Sequence, residues 1–332
     1  MTNVRIYGSK TLADALQVRP FTQRFPWFGP DLQTMKNNLT ASSLNPVSGH
    51  RTRHLIPCPA GELSAVLNMP LRKNARAVVV MCPGLGGGEH STYMREYAAA
   101  LVPDGFATLR WNLRGAGPSA ATSTAPYHAG LSEDLRAVLN NLPEPVAHLP
   151  IFLLGFSLGG HLILRTLGEG DVPAAVAGAV SVSAPLGLSS CMKMLEKKRN
   201  IPYMHYLTNK LKADLENDFS EVVDDLKNIR DLDDKVIAPA FGFDGAEDYY
   251  EKASARPLLS KIAKPILVMH SADDPWIPAS DYTEANWPDN PKSATLLTER
   301  GGHVGFHGIG DDRSWAIDLT LRYFNHLNVF YG

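Results

Sequence analysis

Six short apolar runs recur along the chain, each closed by glycine, proline or a polar residue: Ala77 to Cys82, Phe106 to Trp111, Pro150 to Gly155, Gly178 to Ser183, Pro265 to His270 and Ser293 to Thr298. Continuous runs of this kind predict strands buried on both faces of a sheet, since a strand with one wet face would alternate. Between them the spacing of apolar residues changes to three and four, which predicts helices over Tyr93 to Gly105, Leu131 to Leu142 and Leu158 to Gly170. Strands that alternate with helices imply an α/β fold on a doubly wound, mostly parallel sheet. Ahead of it, RTRHLIPC and GELSAVLNM flank Pro59-Ala60-Gly61 and predict a hairpin that leads into the sheet.

The rhythm stops between Leu186 and Leu258. There YMHYLTNKLKADLEN and FSEVVDDLKNIRDLDDK replace strand patterns with amphipathic helical ones, and Met204, Leu207, Leu211 and Leu215 make one stripe. A helical cap over the carboxyl edge of the sheet is expected, because open α/β sheets bind ligands at that edge. The stripe reads as packing on its own domain, with a membrane-contacting lid helix as the other reading. The expected organisation is a lead-in over 1–50 packed on the core, a first part of the core over 51–185, the cap over 186–258 and the rest of the core over 259–332.

With 332 residues, 44% of them hydrophobic and 20% charged, the chain can bury one large core. A net charge of −2 and the lack of a basic block argue against nucleic acid as a partner. Cys58, Cys82 and Cys191 have neither CxxC nor metal-ligand spacing, which suits a reducing compartment. No run approaches the ~20 apolar residues that span a bilayer, and the first residues lack the core of a signal peptide. A soluble cytoplasmic protein without stable membrane insertion is the expectation.

The third predicted strand ends in GFSLGG, with Ser157 between Gly155 and Gly159. A chain of this composition meets G-x-S-x-G by chance in about 0.14 instances, so the motif alone is weak. Its position between a predicted strand and a predicted helix is what a nucleophile elbow needs, the glycines allowing the sharp turn that exposes the hydroxyl. A serine becomes a nucleophile only when a base takes its proton and a carboxylate orients that base. PILVMHSADDPWIP supplies Asp274 and LLTERGGHVGFHG supplies His303, each just past a predicted strand and in the order acid then histidine. Pro275 biases Asp274 toward an extended backbone, so Asp274 is preferred; Asp273 reads as a solvated turn residue or a supporting acceptor.

His307 is expected on or near the last helix, and the pair His303/His307 lacks an evident third ligand, so no metal is expected. His161 reads as packing, and His90, His128, His205 and His270 as structural or surface residues. For the oxyanion, the glycines of MCPGLGGGEHS let backbone amides approach a substrate, and the amides of Leu85 and Leu158 are the candidates. The same loop lacks the Lys-Ser/Thr ending and the G-x-G-x-x-G register of a phosphate cradle, so no cofactor is expected.

Taken in order, PGLGGG, LRWNLRGAG, GFSLGG, ADDPWIP and GGHVGF are similar to motifs of the α/β-hydrolase superfamily. With FPWFGPDLQTM upstream and YHAGLSEDL before the elbow, the chain resembles the YheT-like branch of bacterial hydrolases and eukaryotic abhydrolase-domain proteins over about residues 20 to 325. The resemblance implies a serine hydrolase with Ser157 as nucleophile, Asp274 as acid, His303 as base, and Leu85 and Leu158 as oxyanion donors. Members act on carboxylic esters, acylglycerols and short-chain esters among them. Pro83 stands where many relatives have histidine, and no N-terminal membrane anchor of the kind many eukaryotic relatives carry is expected.

The expected activity is hydrolysis of a small-molecule ester through an acyl-enzyme. Short to medium acyl groups are preferred because nothing in the sequence marks a large lipid-docking surface. A long-chain acylglycerol lipase, phospholipase or thioesterase is the alternative, and a non-catalytic ligand-binding protein on the same fold is the alternative from another class.

Overall fold

The apolar runs become the central strands of one nine-stranded sheet. The computed structural model describes residues 3–40, 47–71, 74–223, 225–310 and 313–328, with backbone alone at 214 and 216–223. In chain order the strands are β1 (Val4–Gly8), β2 (His50–Cys58), β3 (Gly61–Met69), β4 (Val78–Cys82), β5 (Ala107–Trp111), β6 (Ile151–Phe156), β7 (Val176–Val182), β8 (Ile266–Ser271) and β9 (Ala294–Thr298). They lie side by side as β1-β9-β8-β7-β6-β4-β5-β3-β2. From β5 to β9 every pairing is parallel, and the antiparallel strands sit at the two ends.

Helices cover both faces: α1 (Lys10–Ala15), α2 (Gly29–Leu39), α3 (Thr92–Leu101), α4 (Ser132–Asn140) and α5 (Leu158–Glu169) precede the insertion. Alternate residues of one strand serve opposite layers, as the period of two requires. Val78, Val80 and Cys82 of β4 pack with Leu135 and Val138 of α4 and Leu162 of α5. Val79 and Met81 pack on the other face with Met94 and Tyr97 of α3. Every residue of β4 is therefore buried, which is why the run carries no polar alternation.

Between β7 and β8 the chain builds only helices among the described residues: α6 (Leu188–Leu195), α7 (Ile201–Val223), α8 (Ile229–Leu232), α9 (Ala238–Phe241) and α10 (Ala246–Ala253), with a π-helical turn at Asp233–Ile237. Beyond β8 follow α11 (Ser280–Thr283) and α12 (Trp315–Asn328). Met204, Leu207, Leu211 and Leu215 of α7 all join one apolar cluster with Leu188, Leu232 and Tyr249, so this stripe faces its own protein. The first of the two expected helical pieces continues as α7 into the second, and residue 224 of the second lies outside the described residues.

The hairpin expected around Pro59-Ala60 forms with Cys58 opposite Gly61, and β3 carries it into the sheet against β5. The lead-in does more than pack: Val4 to Gly8 pair antiparallel with β9 as the sheet's edge. VRIYG is too short a run to read as a strand without its partner. Residues 41–46 of the lead-in lie outside the described residues. Among the described residues, no helix is long and apolar enough to cross a membrane.

Candidate active site

Ser157 sits between the end of β6 and the start of α5 at φ 50°, ψ −121°, a backbone region costly for a residue with a Cβ. Close packing holds it there. Its amide donates to Val182 O at 2.8 Å, and its carbonyl accepts from His161 N at 3.0 Å. A Cβ on Gly155 would stand 2.4 Å from Gly159 O, and one on Gly159 would stand 2.3 Å from Cys82 O, so the turn tolerates only glycine at both places. As the first residue of α5, Leu158 has an amide that no helical carbonyl can satisfy.

The loop after β4 comes to the same point. A Cβ on Gly84 would lie 3.1 Å from Ser157 Cβ, so Pro83 to Leu85 run directly past the serine. Neither Leu85 N nor Leu158 N donates to a protein group among the described residues. Leu85, Leu158 and Ser157 line one cavity.

The loop is anchored from behind by Glu89. Burial opposes ionisation of its carboxylate, but Arg53 (2.9 Å) and Asn112 (2.8 Å) outweigh that and hold it below the usual carboxylate range. Asn112 also accepts from Glu89 N at 2.9 Å. Two further motif residues pair: buried Arg114, past β5, donates to Asp134 Oδ2 at 2.7 Å and to Glu133 at 3.0 Å, fixing the start of α4.

Asp274 and His303 meet at the ends of β8 and β9. His303 Nδ1 lies 2.8 Å from Asp274 Oδ2, while Oδ1 accepts from Trp276 N (2.8 Å) and Ile277 N (3.1 Å). Burial opposes the Asp274 charge, but the imidazole and these amides prevail and keep its pKa below the ordinary value. An ionised acceptor at Nδ1 fixes the proton there and leaves Nε2 as the free base. Buried Nε2 makes no hydrogen bond with any described residue, Ser157 included, and His303 lines the same cavity as Ser157. Such contacts are often open without substrate.

Several supports of His303 were not foreseen. Thr34 Oγ1 of α2 accepts from His303 N at 2.9 Å, Ser183 Oγ accepts from Val304 N at 3.1 Å, and the Trp276 ring packs 4.2 Å from the imidazole. Asp273 serves the site's backbone: its Oδ1 accepts from Gly302 N at 2.9 Å. Gln33, fully buried, bonds the backbone of His307 on both sides, accepting from its N (2.8 Å) and donating to its O (3.0 Å). His307 thus lies in the loop ahead of α12, near the last helix and not on it, where Gln33 clamps it to α2. The signal was present in FPWFGPDLQTM, whose Gln and Thr are these two residues.

The remaining histidines divide as packing groups. His161, buried on α5, sets Nδ1 2.7 Å from Pro185 O and Nε2 2.9 Å from Ala253 O, against the two stems of the helical insertion. His270 stacks on Tyr282 at 3.9 Å, and burial pushes its pKa down to about 4. His90 reaches Glu89 at 3.0 Å, and His205 pairs with Asn209 on the surface. Among the described residues no group of three or more His, Cys, Asp or Glu converges as metal ligands would.

The cavity measures about 280 Å³ and is mostly apolar, with Leu188, Met192, Leu207, Leu211 and Leu232 of the insertion among the residues that wall it. One acid breaks that wall. Asp233 opens the π-helical turn, accepts from Tyr250 Oη at 2.6 Å, and is pushed by burial up to about 7. Its folded pKa exceeds the unfolded one, so the stabilisation is complete at low pH and fades as pH rises from about 4 through about 7. Asp233→Asn is expected to melt above the wild type near pH 8 and level with it near pH 4, a comparison that thermal scans across pH would make. Equal melting at both would show that the carboxyl ionises freely in the fold.

A doubly wound sheet with an elbow serine and an acid-histidine pair on the following strand ends defines an α/β-hydrolase. The family described as serine aminopeptidase, S33 matches residues 73–287, and the chain belongs to it, within the branch that includes YheT and the abhydrolase-domain proteins. YheT of Escherichia coli (strain K12), named as an esterase, is 32% identical over 251 residues, covering 72% of this chain and 73% of its own. A monoacylglycerol lipase of Saccharomyces cerevisiae is 27% identical over 276 residues, 78% of this chain and 60% of its own. Among solved structures, the esterase Pf2001 of Pyrococcus furiosus shares the fold at 17% identity, with a TM-score of 0.52 over 78% of this chain and 86% of that one. The protein is a hydrolase of the esterase/lipase type.

Proposed function

We propose that the protein hydrolyses carboxylic esters through an acyl-enzyme, with Ser157, His303 and Asp274 as a catalytic triad. The observation that carries the reading is His303 itself: one nitrogen is held by Asp274 at 2.8 Å and the other is left bare in the cavity that Ser157 lines. Ser157 Oγ bonds to the ester carbonyl carbon as His303 Nε2 takes its proton, and the carbonyl oxygen gains the negative charge. The amides of Leu85 and Leu158 receive that oxyanion. The carbon–alkoxy bond then breaks, His303 hands its proton to the departing alcohol, and water repeats the cycle on the acyl-serine. Asp274 remains ionised throughout and stabilises the imidazolium. No step calls for a cofactor.

The apolar wall supports a substrate with one aliphatic acyl arm, of short to medium length for a cavity at the small end of ligand pockets. A long-chain acylglycerol is the second reading, favoured by the lipase among the relatives. The three cysteines are free, in keeping with a cytoplasmic assignment. The test is turnover of a p-nitrophenyl ester series of increasing chain length, combined with labelling by a fluorophosphonate probe. A maximum at short to medium chains is expected; a maximum at the longest chains selects the second reading. Absence of both labelling and turnover would leave a ligand-binding protein on a hydrolase fold.

A further inference from the structure

On elements that line the cavity lies an apolar surface that the catalytic reading does not use. Phe25, Phe28, Leu32, Met35 and Leu39 follow one another at spacings of three and four along the approach to α2 and the helix itself, and they are 78%, 54%, 43%, 41% and 58% exposed. The opposite side of the same helix is buried: Gln33 and Thr34 hold the His303 loop, and Thr34 and Asn37 line the cavity. The stripe is thus fixed rigidly to the active site while facing outward. An amphipathic helix with its apolar side in water bears a cost that most surfaces avoid by reversing the sides.

The insertion extends this surface. Arg199 and Tyr203 reach across to Asp31 of α2 at 3.0 and 2.9 Å, which places the start of α7 against the stripe. There Ile201 is 61% exposed, and Tyr206, half exposed, also lines the cavity. Lys197, Lys198 and Arg199 immediately precede it; all three are exposed, and the two lysines pair with no acid among the described residues.

We propose that this face docks the protein peripherally on an anionic lipid surface, with the apolar residues entering the headgroup boundary and the lysines meeting the lipid charge. Exposed aromatic and aliphatic side chains beside a basic cluster are the composition that lies in a membrane interface. Charge complementarity singles out this occupant, since the chain as a whole carries −2 and would be repelled by an anionic surface unless this face led. Docked so, the mouth of the cavity opens toward the lipid, and an ester with an apolar arm enters without crossing water. The proposal deepens the ester-hydrolase reading and rests on it only for the substrate.

The test is co-sedimentation of the full chain with phosphatidylcholine vesicles, with and without phosphatidylglycerol, alongside turnover of a soluble short-chain p-nitrophenyl ester. Wild type is expected to pellet with the anionic vesicles. Phe25→Ser combined with Phe28→Ser should weaken that partitioning about tenfold or more, since both rings leave the interface. Lys197→Glu combined with Lys198→Glu should remove the preference for phosphatidylglycerol. Both variants should keep the wild-type rate on the soluble ester, which also reports that they fold. Wild type that stays in the supernatant with both vesicle types, or a Phe25/Phe28 variant that pellets equally well, would overturn the proposal. So would a dimer in sedimentation equilibrium that the Phe25/Phe28 variant dissolves, because the face would then cover a second copy. Vesicle binding without turnover or probe labelling would instead count against the catalytic reading and leave the docking face standing.

Discussion

Ser157→Ala is expected to abolish fluorophosphonate labelling and to lower kcat on a p-nitrophenyl ester roughly 10⁴- to 10⁶-fold, while the melting temperature stays at the wild-type value. The hydroxyl is the only group the substitution removes, and His303 Nε2 makes no hydrogen bond to it. Alanine also inherits the same strained backbone at φ 50°. Ser157→Gly separates the two effects. It too should be inactive, but glycine accepts that backbone freely, so it should melt above the alanine variant by an amount corresponding to about 1 kcal/mol. If Ser157→Ala kept turnover, the nucleophile would have to lie elsewhere in the cavity. If the two variants melted alike, the turn would store no strain.

Gly159→Ala is expected to damage the fold itself, by about 3 kcal/mol or more, or to prevent soluble expression. The added methyl would stand 2.3 Å from Cys82 O and 2.4 Å from Pro83 O. Both are backbone atoms at the end of β4, so no rotamer change relieves the clash, and any shift displaces the loop that carries Leu85. Gly170→Ala is the control. It takes a positive φ, 82°, which Gly159 does not, and nothing lies within 4 Å of the new methyl, so only backbone strain of about 1 kcal/mol should appear in a denaturant titration. Equal losses at the two positions would mean that the close approach of β4 costs no more than backbone strain alone, and that crowding is not what requires glycine at Gly159.

These two predictions mark how far local pattern reaches. The six buried runs, the hairpin at Pro59-Ala60 and the helices between strands were legible because each is set by residues adjacent in sequence. Ser157 was legible for the same reason, since a strand, a tight turn and a helix start within a few residues of one another. The contact of Asp274 with His303 was readable only as an expectation of order along the chain; its 2.8 Å belongs to the register of β8 beside β9.

Other features had no local signal. Val4 to Gly8 become a strand only because β9 offers its edge. Phe25 to Leu39 show helical spacing, which cannot say whether the apolar side faces the core or the solvent. Here the polar residues Gln33, Thr34 and Asn37 are the buried ones, because the His303 loop supplies partners for Gln33 and Thr34. Asp233 likewise reads as one of several acids in a solvated helix, and only burial beside Tyr250 makes it a group that titrates near neutrality.

By itself the sequence determined the order of strands and helices, the elbow at Ser157 and the chemistry its residues could perform, since periodicity, turn geometry and the nature of a side chain are local properties. The tertiary structure alone decided which side of α2 meets water, which residues hold His303, and what walls the cavity. Those depend on partners far apart in the chain, and distance along a sequence carries no energy until the fold closes it.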